Sequence, residues 1–244
     1  MEKTVWENVL QYLEKLHYTS ILWLICTLIA LIFGIKHYRK EITYQFLLIY
    51  CLSSLIMMNV IYNFILYSVN IKNDKRIIYS ETTNTLFAFV EISAFLYFFK
   101  QILGNKFIKK LVNIFWIIFF TSCSLFLIKM IDLNLSKTQI RKNSYIINIF
   151  EFLLLLPLCL IYFYQLLTKD QIKPVKLNDS PSFWIVSGLF FYCIVSLPFL
   201  FIGNKIYVSS PYLFYLMGSI HYTSISLLFL CLAKAFSCKK TITI

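Results

Sequence analysis

Residues 82–99 read TTNTLFAFVEISAFLYFF, and Glu91 is the one charged side chain in this apolar stretch. A helix of about 20 apolar residues rises about 1.5 Å per residue and therefore spans the roughly 30 Å hydrocarbon core of a bilayer. The chain contains seven runs of about this length, which are residues 18–35, 44–69, 82–99, 111–131, 145–167, 183–202 and 212–236. The sequence therefore predicts an all-α fold, an integral membrane bundle of seven transmembrane helices.

The composition supports this class and excludes others. Apolar residues make up 59% of the 244 residues and charged residues only 14%, whereas soluble domains average about 45–50% and about 25%. The formal charge of +12 comes from Lys and Arg that lie mostly in the connectors between apolar runs. Membrane proteins place such residues there to set topology, and no basic face or nucleic-acid motif accompanies them. We therefore expect the lipid bilayer as a binding partner, and no nucleic acid.

Three segments are predicted along the chain. Residues 1–17 include VWENVLQYLEKLH, whose apolar residues recur at helical spacing opposite a polar side, which predicts a short amphipathic helix in the membrane interface. Residues 18–236 form the transmembrane bundle, and residues 237–244 form a basic cytoplasmic tail. The connectors are short, the longest being about a dozen residues around DLNLSKTQIRKN (residues 132–143). Consecutive helices are therefore expected to pack antiparallel, with no soluble domain between them.

The distribution of Lys and Arg predicts the orientation of the bundle. The side that holds the N-terminus carries 10 of these residues and the opposite side carries 13. The net charges differ more, +4 against +10, when Glu91 and Glu151 are set aside as intramembrane residues. Cytoplasmic loops carry the excess of positive residues, so we expect the N-terminus outside and the C-terminus in the cytoplasm.

Polar residues inside the apolar runs are the candidate ligand-binding residues: Glu91, Glu151, His221, Asn59 and Asn63. With this orientation they belong to four helices and are expected at similar depth in the outer half of the bilayer. A charge in hydrocarbon costs about 2.5–3.5 kcal/mol on insertion scales, so such groups turn inward, pair or line a cavity. Three arrangements fit: a structural knot of hydrogen bonds, an outward-facing ligand pocket, or part of a proton or ion path.

The sequence contains no recognised catalytic or metal-binding pattern. Its seven cysteines have no CxxC spacing, and six of them lie within apolar runs, which predicts neither a metal site nor a disulfide framework. HExxH, GxSxG and phosphate-binding-loop motifs are missing, and the last apolar run has no mid-helix lysine that could hold retinal. We therefore expect no enzymatic activity, no metal and no cofactor.

Three segments resemble one family of bacterial proteins. EISAFLYFFKQILGNK (residues 91–106), PSFWIVSGLFFYCIVSLPFLFI (181–202) and GSIHYTSISLLFLCLAKAFSCKK (218–240) are similar to segments of small seven-helix membrane proteins of Bacteroidota. In that resemblance Glu91 and His221 match characteristic positions, while the last helix has Ser and Thr where members usually carry Asn. Genes of this family often lie beside two-component signalling genes. The resemblance therefore implies a sensory or accessory membrane subunit.

The leading hypothesis is a non-enzymatic membrane sensor or accessory signalling subunit. It would couple the polar pocket to a membrane or cytoplasmic protein partner through the basic connectors, because no soluble output domain is predicted. One alternative is a small proton- or cation-coupled transporter or channel that uses the same carboxylates. Another is an oligomeric membrane effector, such as a toxin or defence component, which would work as a homo-oligomer.

Overall fold

The computed structural model describes residues 18–37, 41–65, 73–131, 137–168 and 177–238, and these residues contain no β-strand. The predicted amphipathic helix at residues 1–17 and the tail after residue 238 lie outside this range. Within these ranges seven helices follow one another: α1 (Tyr18–Lys36), α2 (Ile42–Ser53), α3 (Asn73–Ile102), α4 (Lys106–Ile131), α5 (Lys137–Thr168), α6 (Pro181–Ser209) and α7 (Pro211–Ser237). A π-helical segment, Ser54–Ile65, continues α2, and a short 3-10 turn, Leu177–Asp179, precedes α6.

Six of the seven helices are long and apolar enough to cross a membrane. Their apolar spans are Tyr18–Lys36, Arg76–Ile102, Lys106–Lys129, Asn143–Thr168, Pro181–Ile202 and Leu216–Ser237. The second helix has a shorter apolar part, Ile42–Met58. Because each long span reaches the length that a bilayer core requires, the chain is a multi-pass helical membrane protein. The predicted fold class, an all-α membrane bundle of seven helices, is confirmed.

Two helices begin earlier than the sequence predicted. α3 begins nine residues before residue 82 and α5 begins eight residues before residue 145. The extra residues are polar ends of helices with 30 and 32 residues, which at about 1.5 Å per residue exceed the roughly 30 Å hydrocarbon core. Much of the predicted connector at residues 132–143 is therefore helical. Glu91 lies near the middle of the span Arg76–Ile102, so it is further from the start of its helix than the nine residues that the sequence predicted.

The helices pack as a closed ring with one helix outside it. In order around the ring, α1 contacts α2, α2 contacts α3, α3 contacts α5, α5 contacts α6, α6 contacts α7, and α7 returns to α1. Outside the ring, α4 packs against α3 and α5. Only 22% of the α4 apolar span is buried, against 61% for α3. The α3 helix therefore lies deepest in the bundle and meets neighbours on three sides.

Hydrogen bonds between side chains and neighbouring helices join the members of the bundle. The Tyr44 hydroxyl on α2 donates to the Gly34 carbonyl on α1 at 2.9 Å. On α3, Asn84 donates through Nδ2 to the Ser144 hydroxyl of α5 at 3.2 Å. Apolar contact alone does not hold helices together in lipid, so bonds of this kind and close packing fix helix positions. The bundle therefore provides a rigid frame for the polar groups in its core.

Candidate functional site

Glu91 lies on the innermost face of α3 and accepts a hydrogen bond from α2. Its side chain is 3% exposed, and the Tyr50 hydroxyl donates to its Oε1 at 3.1 Å. Phe87 and Phe95, one turn before and one turn after Glu91, are both buried, and both rings pack on the Tyr50 ring. The i, i+4, i+8 spacing places these three α3 residues on one helix face. The carboxyl group is therefore enclosed in an aromatic setting with a phenol as its donor.

Glu151 lies on the inner face of α5 and is 2% exposed. The buried residues Ile147, Leu155 and Leu158 share its helix face. Its Oε1 atom is buried and has no hydrogen-bond partner within the described part of the chain. The Glu151 and Glu91 carboxyl groups lie close enough to interact electrostatically. The structure therefore brings together the two carboxylates that the sequence had placed on separate helices.

Tyr192 on α6 connects the two carboxyl groups to the remaining polar residue. Tyr192 is buried and interacts electrostatically with both Glu91 and Glu151. Its ring lies edge-on to Phe152 of α5, with centroids 4.9 Å apart. The Tyr192 and His221 ring centroids lie 5.9 Å apart. Tyr192 therefore neighbours both the carboxyl pair and His221.

His221 on α7 is linked to α6 by a short hydrogen bond. Its Nδ1 atom lies 2.8 Å from the Ser196 hydroxyl, with the direction of donation set by the imidazole tautomer. Its ring stacks on Phe199 of α6 at 5.2 Å and packs on the neighbouring Tyr222 at 5.6 Å. His221 therefore belongs to the same polar cluster through its contact with Tyr192.

Two other residues of the predicted site cannot be placed in the cluster. The backbone of Asn59 and Asn63 lies in the π-helical segment Ser54–Ile65, but their side chains lie outside the described part of the structure. Tyr50 and Tyr192 were not among the predicted site residues. The sequence feature that could have identified both tyrosines as site residues is a phenol in the middle of an apolar run. That signal is weak here, because the chain has 17 tyrosines.

The cluster carries potential negative charge without a positive counterpart. Glu91 and Glu151 are the only acidic or basic side chains among the buried residues of the described structure. Each Lys or Arg side chain whose burial the structure describes is half-buried or exposed. Charges buried without a partner are costly, and buried groups usually neutralise instead. The arrangement therefore suits the uptake of a positive charge between α2, α3, α5 and α6.

The seven thiols and the acidic residues do not form a recognisable metal centre. All seven cysteines are free thiols. Among the described residues, no group of three or more His, Cys, Asp or Glu side chains is arranged to hold a metal ion. Cys123 and Cys193 do interact electrostatically with the carboxyl groups. We therefore include them in the set that we call the core polar cluster: Tyr50, Glu91, Cys123, Glu151, Tyr192, Cys193 and His221.

The fold and this cluster define a multi-pass helical membrane protein with two carboxyl groups buried in its core. In comparisons with protein-family models, with curated proteins and with solved structures, nothing matches this chain. The resemblance to seven-helix Bacteroidota proteins therefore stays a prediction.

Proposed function

We propose that this protein is a non-enzymatic sensor or accessory signalling subunit of the bacterial inner membrane. Its N-terminus would lie outside and its C-terminus in the cytoplasm, as the Lys and Arg distribution indicates. The observation that carries the proposal is the convergence of Glu91, Glu151 and Tyr192 from three helices. Intramembrane ionisable residues are rare and mark functional sites by default. A cluster shared by several helices suits a site whose occupancy changes how those helices pack.

The hydrogen bonds at the cluster would couple ligand binding to a change in helix packing. The Tyr50–Glu91 hydrogen bond joins α2 to α3, and the Ser196–His221 bond joins α6 to α7. A ligand that changes the charge of the cluster would favour one packing of these pairs over another, and only this difference in affinity can shift a conformational equilibrium. The shift would pass to a partner protein that contacts the connectors or the lipid-facing helices.

The proposal is tested by replacing the chromosomal gene in the native host. The variants are Glu91→Gln and His221→Ala, with Ser93→Ala as the matched control. Ser93 lies on the same helix as Glu91, but its hydroxyl accepts from Trp116 of α4, outside the core polar cluster. We expect the two cluster variants to change the transcript profile as deletion of the gene does, and Ser93→Ala to match the wild type.

Two results would contradict the proposal. If deletion of the gene leaves transcription and protein phosphorylation unchanged under all conditions tried, the signalling role fails. If deletion has an effect but Glu91→Gln and His221→Ala do not, the core polar cluster is not the sensory site. Immunoblots of membrane fractions must show equal amounts of each variant, so that a difference in transcription is not caused by a difference in protein level.

A second candidate function is a small proton- or cation-coupled transporter. The buried pair Glu91–Glu151, which has no basic side chain beside it among the described residues, favours this reading as well, because carboxyl chains carry protons in pumps and transporters. Purified protein in liposomes with an internal pH dye would show a flux that collapses in Glu91→Gln and persists in Ser93→Ala. Liposomes that stay tight to protons and to sodium under an imposed potential would exclude it.

A further inference from the structure

We infer that the Glu91–Glu151 pair is a proton-binding site, in which Glu151 retains its proton and Glu91 takes up and releases one. This inference deepens the proposed function, because it names the ligand of the core polar cluster. It rests on that proposal only for the use of the proton as a signal, since proton binding itself can be measured on the isolated protein.

The first step is that the pair cannot carry two negative charges. Both carboxyl groups are almost fully buried, and they lie close enough to interact electrostatically. Two carboxylates that share one site repel each other, and a low-dielectric surrounding penalises each charge separately. Among the side chains whose burial the structure describes, no Lys or Arg is buried with the pair. At least one positive charge must therefore be bound, either as a proton or as a cation.

The second step is that the site suits a proton better than a metal ion. Calcium takes about 6–8 oxygen ligands, and magnesium demands nearly ideal octahedral geometry. The side-chain oxygens shown to interact at the pair are those of the two carboxyl groups and the phenols of Tyr50 and Tyr192. A proton needs only one carboxyl oxygen, so the available groups are sufficient for it.

The third step assigns different roles to the two carboxyl groups. Glu91 accepts the hydrogen bond of Tyr50, and a donor of this kind favours the ionised form of a carboxyl group. Glu151 has an Oε1 atom without a donor in the described structure, so nothing comparable favours its ionised form. Glu91 is therefore the group that exchanges its proton, and Glu151 is the group that stays neutral.

Among the described residues, the titratable groups that interact with the pair are phenols and thiols, which are neutral when protonated. They are Tyr50 of α2, Cys123 of α4, and Tyr192 and Cys193 of α6. Other titratable groups pack on these neighbours: Cys51 on Tyr50, Cys159 on Cys193, and His221 and Tyr222 on Tyr192.

The test is infrared difference spectroscopy of the full chain in lipid nanodiscs, titrated with pH. The carbonyl stretch of a protonated carboxyl group lies apart from the bands of carboxylates and amides. We expect two buried acid bands at low pH. One band should persist on raising the pH and should be missing in Glu151→Gln. The other should disappear as the pH rises and should be missing in Glu91→Gln.

Two further variants make the result specific. Tyr50→Phe removes the donor to Glu91 and keeps the ring, so the Glu91 band should persist to higher pH by about one unit, a shift equivalent to about tenfold in proton affinity. Glu81→Gln is the control, because Glu81 is a half-buried carboxyl near the polar end of the same helix. It should leave both buried bands and the titration unchanged. Gln has the shape of a protonated Glu, so the cluster variants should fold.

Two outcomes would overturn proton binding by Glu91, and two others would contradict only one part of the argument. A wild-type spectrum without a titrating buried band would show that Glu91 does not exchange a proton. A band that vanishes when sodium replaces choline at constant pH would show a cation site instead. A Tyr50→Phe variant with an unchanged titration would remove the assigned role of Tyr50, even if Glu91→Gln failed to fold. A titrating band in the isolated protein, with no effect of the variants in the host, would uphold proton binding and contradict only the signalling role.

Discussion

The hydrogen bond from Tyr50 to Glu91 can be isolated by comparing two tyrosines of α2. Tyr50→Phe removes a hydroxyl that donates to a carboxyl group at 3.1 Å. Tyr44→Phe removes a hydroxyl that donates to the backbone carbonyl of Gly34 at 2.9 Å. Both tyrosines are 1% exposed, and both rings keep their aromatic neighbours after the change, Phe236 for Tyr44 and Phe229 for Tyr50. The two variants therefore differ mainly in the charge of the acceptor.

The expected magnitudes follow from the acceptor in each pair. A hydrogen bond to a neutral group contributes about 0.5–1.5 kcal/mol and one to a charged group about 1.5–3 kcal/mol, with membrane measurements at the lower end. When Glu91 is protonated, both variants should therefore cost the same, roughly 0.5–1 kcal/mol. When Glu91 is ionised, Tyr50→Phe should cost about 1 kcal/mol more than Tyr44→Phe, which is about fivefold in the folded-to-unfolded ratio.

The sign of the pH dependence is fixed by which form of Glu91 the phenol favours. The Tyr50 hydroxyl stabilises the ionised carboxyl group, so its extra contribution is present at high pH and is lost as the pH falls and Glu91 takes up its proton. The assay is unfolding in mixed micelles of increasing SDS fraction, followed by circular dichroism at pH values on either side of the Glu91 titration. Taking the difference between the two variants cancels general effects of pH on the micelle and on the bundle.

One pattern would refute the reasoning. If Tyr50→Phe costs the same as Tyr44→Phe across the whole pH range, the Glu91 acceptor never carries a charge and the exchange role assigned to it is wrong. If Tyr50→Phe costs more than Tyr44→Phe at low pH and the same at high pH, the phenol favours the protonated form, which contradicts the assignment in sign.

Other predictions concern packing and orientation. A Cβ added to Gly188 would lie 2.7 Å from Cys231 Cβ, whereas one added to Gly218 would meet nothing closer than 4.0 Å. Gly188→Ala should therefore lower stability in the SDS assay by about 1–3 kcal/mol relative to Gly218→Ala, and equal values would contradict the close α6–α7 approach. Exposed Thr168 and Tyr212 lie at the end of α5 and the start of α7. With intact cells, a membrane-impermeant maleimide should label Tyr212→Cys and spare Thr168→Cys, and the reverse labelling would invert the proposed orientation.

The number of helices could be predicted from the sequence because each helix is marked by consecutive apolar residues. A run of about 20 apolar residues is recognised without knowledge of its neighbours, and all seven runs correspond to helices. Polarity alone was a poor guide to the helix ends, since α3 and α5 continue through polar turns. Nothing in the sequence of α2 marks the change to a π-helical segment at Ser54.

The membership of the site was only partly predictable. Glu91, Glu151 and His221 stood out because ionisable groups in hydrocarbon are costly and need a reason. Their convergence could not be derived, because it depends on how each helix is rotated about its axis. A helix that is apolar all round has no polar stripe that reveals its inner face. For the same reason Tyr50 could not be distinguished from the other tyrosines before its distance to Glu91 was known.

The position of α3 explains why a change of charge at Glu91 would affect the whole bundle. This helix contacts α2, α4 and α5, and Glu91 itself interacts with Tyr50 of α2 and Glu151 of α5. Ser93, two residues further along, points instead toward Trp116 of the peripheral helix α4. Substitutions at Glu91 and Ser93 therefore perturb two different contacts of the same helix. The first changes the charge where three ring helices meet, and the second changes a contact with the helix outside the ring.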